Sequence, residues 1–274
     1  MKSLSGLSLD RVARSVHYRL GRYLDRRDAN ARRRSNDILA RQIRQTQDKI
    51  NVGCGYDKLP GYLNIDVDPA CSPDVLIVAN DDSMIPRRHF REVLAKDVLE
   101  HIPRPKTLAA LLSWADYLAD GGRLILQTSS ILGVAAKLEQ LPSFRDQRGW
   151  TLCLFGNQAH DGDFHFTGFT ETTLRVHLLA AGFRVDAVGL RDEWLLTAEA
   201  VKTESCTELC NAGIGDDREF IREAYREALF RDAEEEEITS WVGALRAGAA
   251  RKEVLGAIYA SLERLFKIAE RNDL

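Results

Sequence analysis

Two histidines and two aspartates fall within the six residues His160-Asp161-Gly162-Asp163-Phe164-His165. An imidazole can take a proton near neutral pH, and a neighbouring carboxylate can orient it or accept hydrogen bonds from hydroxyl groups. His165 is the first choice as general base, with Asp163 orienting it or contacting hydroxyls and His160 in the same loop. Phe155, Phe164, Phe166 and Phe169 lie close by in sequence, as they would around a lid or an acceptor site. The plainer role is a loop whose histidines and aspartates cap one another. The H-x-x-D-x-H spacing also suits a divalent cation. Nothing else in the chain completes a ligand set, so no metal is expected. A second group is Asp97, Glu100 and His101. Asp97 is a candidate for contact with the reacting atoms, and its plainer role is a helix cap. Glu100 and His101 are expected to open the helix that follows, with a structural hydrogen bond as the plainer role of His101.

A third group reads as a binding site. Gly53-Cys54-Gly55 follows a short apolar run, and Ile65-Asp66-Val67-Asp68 closes the next one. Glycines let backbone N–H groups approach a ligand with no Cβ in the way, and Cys54 between them is small. A carboxylate at Asp66 can accept both hydroxyl hydrogens of a ribose. A dinucleotide fingerprint would need a third glycine and an acid about 20 residues on. Lys58 stands at the glycine position, and Asp66 comes only 13 residues after Gly53. The stretch between them allows barely one helical turn for a pyrophosphate. A nucleoside without phosphates fits better, and S-adenosylmethionine is the expected cofactor.

These residues need a frame that brings them together. Apolar, β-rich runs at residues 50–52, 63–67, 74–79, 92–95, 123–127, 184–190 and 194–202 alternate with helical patterns at 106–119, 131–140 and 171–181. The alternation predicts an α/β fold with a doubly wound, mostly parallel sheet. The last two runs are joined too tightly for a crossover, so one strand should be antiparallel. In such sheets ligands bind beyond the C-terminal strand ends, where Gly53, Asp66 and Asp97 fall. Residues 1–48 read as a helical extension of two helices broken near Asp28, residues 49–202 as the sheet domain, 203–217 as a linker and 218–274 as a helical domain.

The bulk composition bounds the rest. The 274 residues carry a net charge of -3, which gives no general attraction to nucleic acid. Charge is uneven, with 12 Lys/Arg against 5 Asp in residues 1–48 and 10 Lys/Arg against 14 Asp/Glu in residues 213–274. The basic segment, with Arg32-Arg33-Arg34, reads as a solvated face or as a contact to anionic lipid or the acceptor. Five cysteines without a C-x-x-C pair suit a reducing compartment. No apolar run approaches a membrane span and no signal-peptide core follows Met1. A cytoplasmic location is expected, with the inner membrane face as a peripheral one.

Further segments extend the pattern: Ala79-Asn-Asp-Asp-Ser-Met-Ile-Pro86, Val98-Leu-Glu-His-Ile102 and Leu118-Ala-Asp-Gly-Gly-Arg-Leu-Ile-Leu126. In this order, with GCG and IDVD before them, residues 49–200 resemble class I S-adenosylmethionine-dependent methyltransferases. The resemblance implies a Rossmann-like fold, a methionine-side loop at Gly53, Cys54 and Gly55, ribose binding at Asp66 with Val67 beside it, and an adenine contact from Asp81 or its neighbour Asp82. The chain departs from the family in having Asn51 and Val52, and no acid, just before Gly53. Leu154–Phe183 resembles a subset of bacterial methyltransferases found among surface-glycan genes. This implies O-methylation of a sugar hydroxyl, with another small molecule, a protein, or a non-catalytic scaffold role as alternatives. Residues 218–263 resemble a small helical domain of unknown function that occurs in bacterial surface and glycan-processing proteins. Phe220, Tyr225, Arg231, Trp241, Arg251 and Ser261-Leu-Glu263 carry that resemblance; acids at 234–237 replace the family's usual Asp-Pro-Glu-Gly. The implied partners are a sugar or glycan acceptor and a glycan-assembly protein docked on the tail, with homodimerisation as a further option.

Overall fold

The computed structural model describes residues 36–77, 82–159, 161–204 and 208–274. The chain forms two compact units. One comprises Met1–Thr46 and Asp81–Pro86. Its described part is a helix at residues 36–46, α1, and a turn in which Asn36 Nδ2 donates to Ser83 Oγ at 2.8 Å. The first expected helix, the break near Asp28 and the arginine run Arg32–Arg34 lie outside the described residues.

The other unit is built on a seven-stranded sheet in the order β3-β2-β1-β4-β5-β7-β6. Its strands are β1 (Lys49–Val52), β2 (Leu63–Asp66), β3 (Val75–Leu76), β4 (Phe90–Lys96), β5 (Leu118–Ser129), β6 (Phe183–Arg191) and β7 (Leu195–Lys202). β1 pairs in parallel with β2 and β4, β2 with β3, and β4 with β5. β7 is antiparallel to both neighbours, so it alone is reversed. This is the doubly wound, mostly parallel sheet that the alternation of runs predicts. Ile50, Phe90, Val93, Ala95 and Leu124 are buried at its centre. Strands covered on both faces read as near-continuous apolar runs, which made them visible in the sequence.

Helices α2 (Arg104–Tyr117), α3 (Ile131–Gln140), α4 (Phe144–Phe155) and α5 (Glu171–Ala180) are interleaved with the strands. No helix joins β1 to β2; the connection is a run of turns. β1 sits mid-sheet, with β2 on one side and β4 on the other. The crevice above β1 and β4 is therefore the point where the winding reverses, the place in such sheets where ligands bind. α4 was not expected from the sequence. None of its residues is fully buried, so it carries no apolar stripe to betray it. Its start does have a signal, since Ser143 Oγ accepts from the Asp146 amide in Ser-x-x-Asp spacing.

The C-terminal residues form α6 (Glu208–Asn211), α7 (Asp217–Leu229), α8 (Glu235–Arg246), α9 (Arg251–Tyr259) and α10 (Leu262–Arg271). Phe220, Ile221, Ala224, Tyr225 and Ala228 make one buried stripe along α7. Arg264 of α10 is only 2% exposed. Its guanidinium donates to the Ala180 carbonyl at the end of α5 and to the Ala228 carbonyl near the end of α7, both at 2.7 Å. Final helical carbonyls lack intrahelical partners, so one planar cation satisfies two helix ends and ties α10 and α7 to α5.

Candidate active site

Two cavities open above the C-terminal strand ends. The smaller, of about 280 Å³, is lined by Asn51, Gly53, Cys54, Asp57, Leu59, Lys96, Asp97, Gln127 and Arg191. The larger, of about 560 Å³, is lined by residues that include Glu100, His101, Asp163, His165 and Trp194. Asp97, Gln127 and Arg191 line both cavities.

The smaller cavity is the glycine loop. Gly53 and Gly55 both have left-handed backbones, with φ of 62° and 51°. A Cβ on Gly53 would stand 2.3 Å from Val98 Cγ2, whereas nothing lies within 4 Å of the corresponding point on Gly55. The first glycine is thus required by packing, and the second leaves open space. Cys54 is buried, and burial, reinforced by Asp66, pushes its thiol up to about 11. It is an inert spacer. Asn51, which stands where an acid was not found, ties the loop together by donating to the Asp57 carbonyl at 3.2 Å and to Asn64 Oδ1 at 3.1 Å.

Asp66 ends β2, and its carboxylate accepts the Gly55 amide at 2.8 Å and the Asp68 amide at 2.9 Å, one on each oxygen. It braces the loop, and the remaining lone pairs of both oxygens stay available. Val67 beside it is 65% exposed, an unused apolar surface next to that carboxylate. Asp66 and Val67 do not line either cavity. Asp81 lies outside the described residues. Asp82 belongs to the other unit, where its carbonyl accepts the Ile85 amide at 2.9 Å.

Asp97 follows β4 with a left-handed backbone (φ 52°). It does not cap a helix: Val98 occupies the cap position and no side chain bonds there. Its carboxylate instead accepts Gln127 Nε2 at 2.8 Å, and Gln127 Oε1 accepts Arg191 Nη2 at 2.8 Å. Three residues from three strand ends thus form one hydrogen-bonded partition between the cavities. Glu100 and His101 do not open α2. They lie in a separate 3-10 turn, Leu99–His101, because Ile102 precedes Pro103 and is extended.

The histidine loop closes over this turn. The Glu100 carbonyl accepts the Phe166 and Thr167 amides at 2.8 and 3.1 Å. His101 Nδ1 lies 3.1 Å from the Phe164 carbonyl and His165 Nδ1 lies 3.0 Å from the Cys153 carbonyl. A carbonyl only accepts, so each Nδ1 must carry its hydrogen and each neutral ring must leave Nε2 bare. The two rings meet edge to face at 4.6 Å. Asp163 lines the same cavity. His160 lies outside the described residues. Among the described residues, no group of three or more His, Cys, Asp or Glu is arranged to hold a metal ion.

Glu100 was recognised in the sequence only as a neighbour of His101. Its side chain is 2% exposed and accepts Thr128 Oγ1 at 2.9 Å. Burial raises its carboxyl to about 7; Asp97 adds to the rise, while the Thr128 bond and His165 oppose it. Between about pH 4.5 and 7 the folded chain therefore holds a proton that the unfolded chain has released, and stability falls as pH rises. The penalty is absent below that window and complete above it, at roughly 3 kcal/mol. Glu100→Gln keeps an acceptor for Thr128 and cannot ionise. In urea unfolding, wild type is expected to lose roughly 3 kcal/mol relative to this variant across the window. Parallel pH dependences for the two proteins would show that the carboxyl is not held protonated.

Several solved structures are similar to this chain. A S-adenosylmethionine-dependent methyltransferase from Methanosarcina mazei is 18% identical with a TM-score of 0.42, covering 58% of this chain and 94% of that one. The 1,6-didemethyltoxoflavin-N1-methyltransferase of Burkholderia thailandensis is 13% identical with a TM-score of 0.39, covering 74% of this chain and 94% of that one. A S-adenosylmethionine-dependent methyltransferase from Mesorhizobium loti is 15% identical with a TM-score of 0.39, covering 56% and 90%. No curated protein matches the chain. Residues 207–267 match the family model of a domain of unknown function, DUF4214.

Proposed function

We propose that the chain is a S-adenosylmethionine-dependent methyltransferase that O-methylates a sugar hydroxyl of a surface glycan or its precursor. The observation that carries this reading is the pair of cavities sharing the Asp97–Gln127–Arg191 partition, one lined by a bare backbone loop and the other by an imidazole with Nε2 free. The residues fit the cofactor. Gly53 and Cys54 bring backbone to the cavity that would take its amino-acid part, Gly55 braces the loop through Asp66, Asp66 keeps lone pairs for ribose hydroxyls, and Val67 offers an apolar surface beside them. When bound, S-adenosylmethionine supplies a methyl group made electrophilic by a sulfonium. The chain's task is then to hold the acceptor oxygen and remove its proton. His165 takes that proton at Nε2, Asp163 contacts the acceptor hydroxyls, and Asp97 places negative charge in the partition. Leu152 and Cys153 of α4 supply apolar lining to the same cavity.

In this reading residues 49–202 carry the chemistry. The 218–274 helices dock a glycan-assembly partner; the expected 203–217 linker contains the short helix α6 and the first residue of α7. The basic 1–48 extension meets an anionic surface. A non-catalytic scaffold on the same fold is the second reading, favoured by the two backbone amides already bound to Asp66.

Thermal unfolding separates the two. S-adenosylmethionine at 100-fold its Kd is expected to add about 2.7 kcal/mol of stability. Asp66→Ala should abolish that gain, and no gain in wild type would leave the scaffold. Labelled-methyl transfer into cell fractions then decides the acceptor, with label in protein and none in glycan counting against the sugar.

A further inference from the structure

β6 and β7 are joined by only Asp192, Glu193 and Trp194, between the paired residues Arg191 and Leu195. Asp192 and Glu193 are both left-handed, with φ of 53° and 66°. Consecutive left-handed positions favour glycine, asparagine or aspartate, because a Cβ crowds the backbone there and only a short polar side chain can bond locally in return. Asp192 is of that type and Glu193 is not. The turn directs side chains: Arg191, Asp192 and Trp194 all line the 560 Å³ cavity. Glu193 pairs with Lys137 of α3.

Trp194 is clamped. Its carbonyl accepts the Ser130 amide at 2.9 Å. Gly133 of α3 lies so close that a Cβ there would stand 2.5 Å from the Glu193 carbonyl oxygen and 2.6 Å from Trp194 Cα. Trp150 of α4 meets its ring at 5.2 Å and 86°. The Trp194 backbone is thus held in place, its indole meets Trp150, and it stands in the same cavity wall as the His101 and His165 rings.

We propose that Trp194 is the platform on which the pyranose ring of the acceptor stacks, with Arg191 and Asp192 holding its hydroxyls. This rests on the sugar-methylation reading and adds the residues that would recognise the ring. A pyranose is amphipathic in a particular way. Its axial C–H bonds make one face apolar and slightly positive, suited to an indole π-face, while hydroxyls that both donate and accept ring its edge. The cavity has matching parts, with one tryptophan and a border of Asp97, Gln127, Asn157, Asp163, Arg191 and Asp192. A flat aromatic acceptor would leave most of the polar groups, which belong to ten of the fifteen lining residues, without a partner.

The test is saturation-transfer NMR on the full chain with methyl β-D-glucopyranoside, its 2-amino and 6-carboxylate analogues, and phenol, with and without S-adenosylhomocysteine. At least one pyranoside should bind, with its axial ring protons receiving the strongest transfer. Trp194→Ala and Trp194→Leu should each weaken that binding about tenfold, and Trp194→Phe should recover part of it. Leu keeps bulk without a π-face, so equal binding by Leu and Phe would mean that the residue only fills space and would overturn the proposal. Binding of no pyranoside, or tighter binding of phenol than of every pyranoside, would overturn it too. The cofactor reading is judged separately. If S-adenosylhomocysteine does not bind while the pyranoside still depends on the Trp194 ring, the subsite stands and methyl transfer falls.

Discussion

His165→Gln is expected to lower kcat about 10²- to 10⁴-fold while leaving S-adenosylhomocysteine binding unchanged. The reasoning is geometric. The Cys153 carbonyl, 3.0 Å from Nδ1, fixes the tautomer that leaves Nε2 as an acceptor in a cavity shared with the Asp97 partition. Glutamine can still donate to that carbonyl and hold the loop, but it cannot take a proton. His101 has the same type of bond, from Nδ1 to the Phe164 carbonyl, and its ring lies against His165. His101→Gln is the paired control and should cost far less. A His165→Gln enzyme that keeps more than about a tenth of wild-type kcat would remove His165 from the base role. If His101→Gln then proved inactive, the base would be His101.

Gly156→Ala should destabilise the fold by about 3 kcal/mol or more, read as a shift of the urea midpoint at unchanged slope. Gly156 closes α4 with φ of 74° and ψ of 171°, a backbone region that only glycine enters freely. A Cβ there would stand 1.6 Å from the Asp163 carbonyl oxygen and 2.8 Å from its carbon. Those are backbone atoms, so no change of rotamer relieves the collision. Relief requires moving α4 away from the segment that carries Asp163 and His165, so activity should fall as well. Gly55→Ala provides the contrast. Its backbone is also left-handed, but nothing lies within 4 Å of the added atom, and the cost should be only about 1 kcal/mol. Equal midpoints for Gly156→Ala and wild type would mean that α4 does not approach the loop as closely as described.

The sequence by itself determined the sheet and the two ends of its ligand crevice. Strands buried on both faces must be apolar throughout, so β1, β4 and β5 are legible as runs. A glycine pair after the first run, and acids after the second and fourth, can only fall at C-terminal strand ends. The tight link between the last two runs required the reversed strand. What the sequence could not supply was anything that depends on partners distant along the chain. The partition joins Asp97 to Gln127 across 30 positions and Gln127 to Arg191 across 64. The histidine tautomers are set by carbonyls 12 and 63 positions away. Glu100 looks like any charged residue in a short polar turn until Thr128 and the histidine loop enclose it, and only that enclosure changes its protonation. α4 stayed hidden because a helix with no buried face leaves no periodic trace, and Trp194 because an indole on a hairpin means little until Ser130 and Gly133 clamp it. Local pattern fixes backbone shape through burial and sterics. Desolvation, tautomer and cavity lining belong to the packed chain, because each is a property of what surrounds a group and not of the group itself.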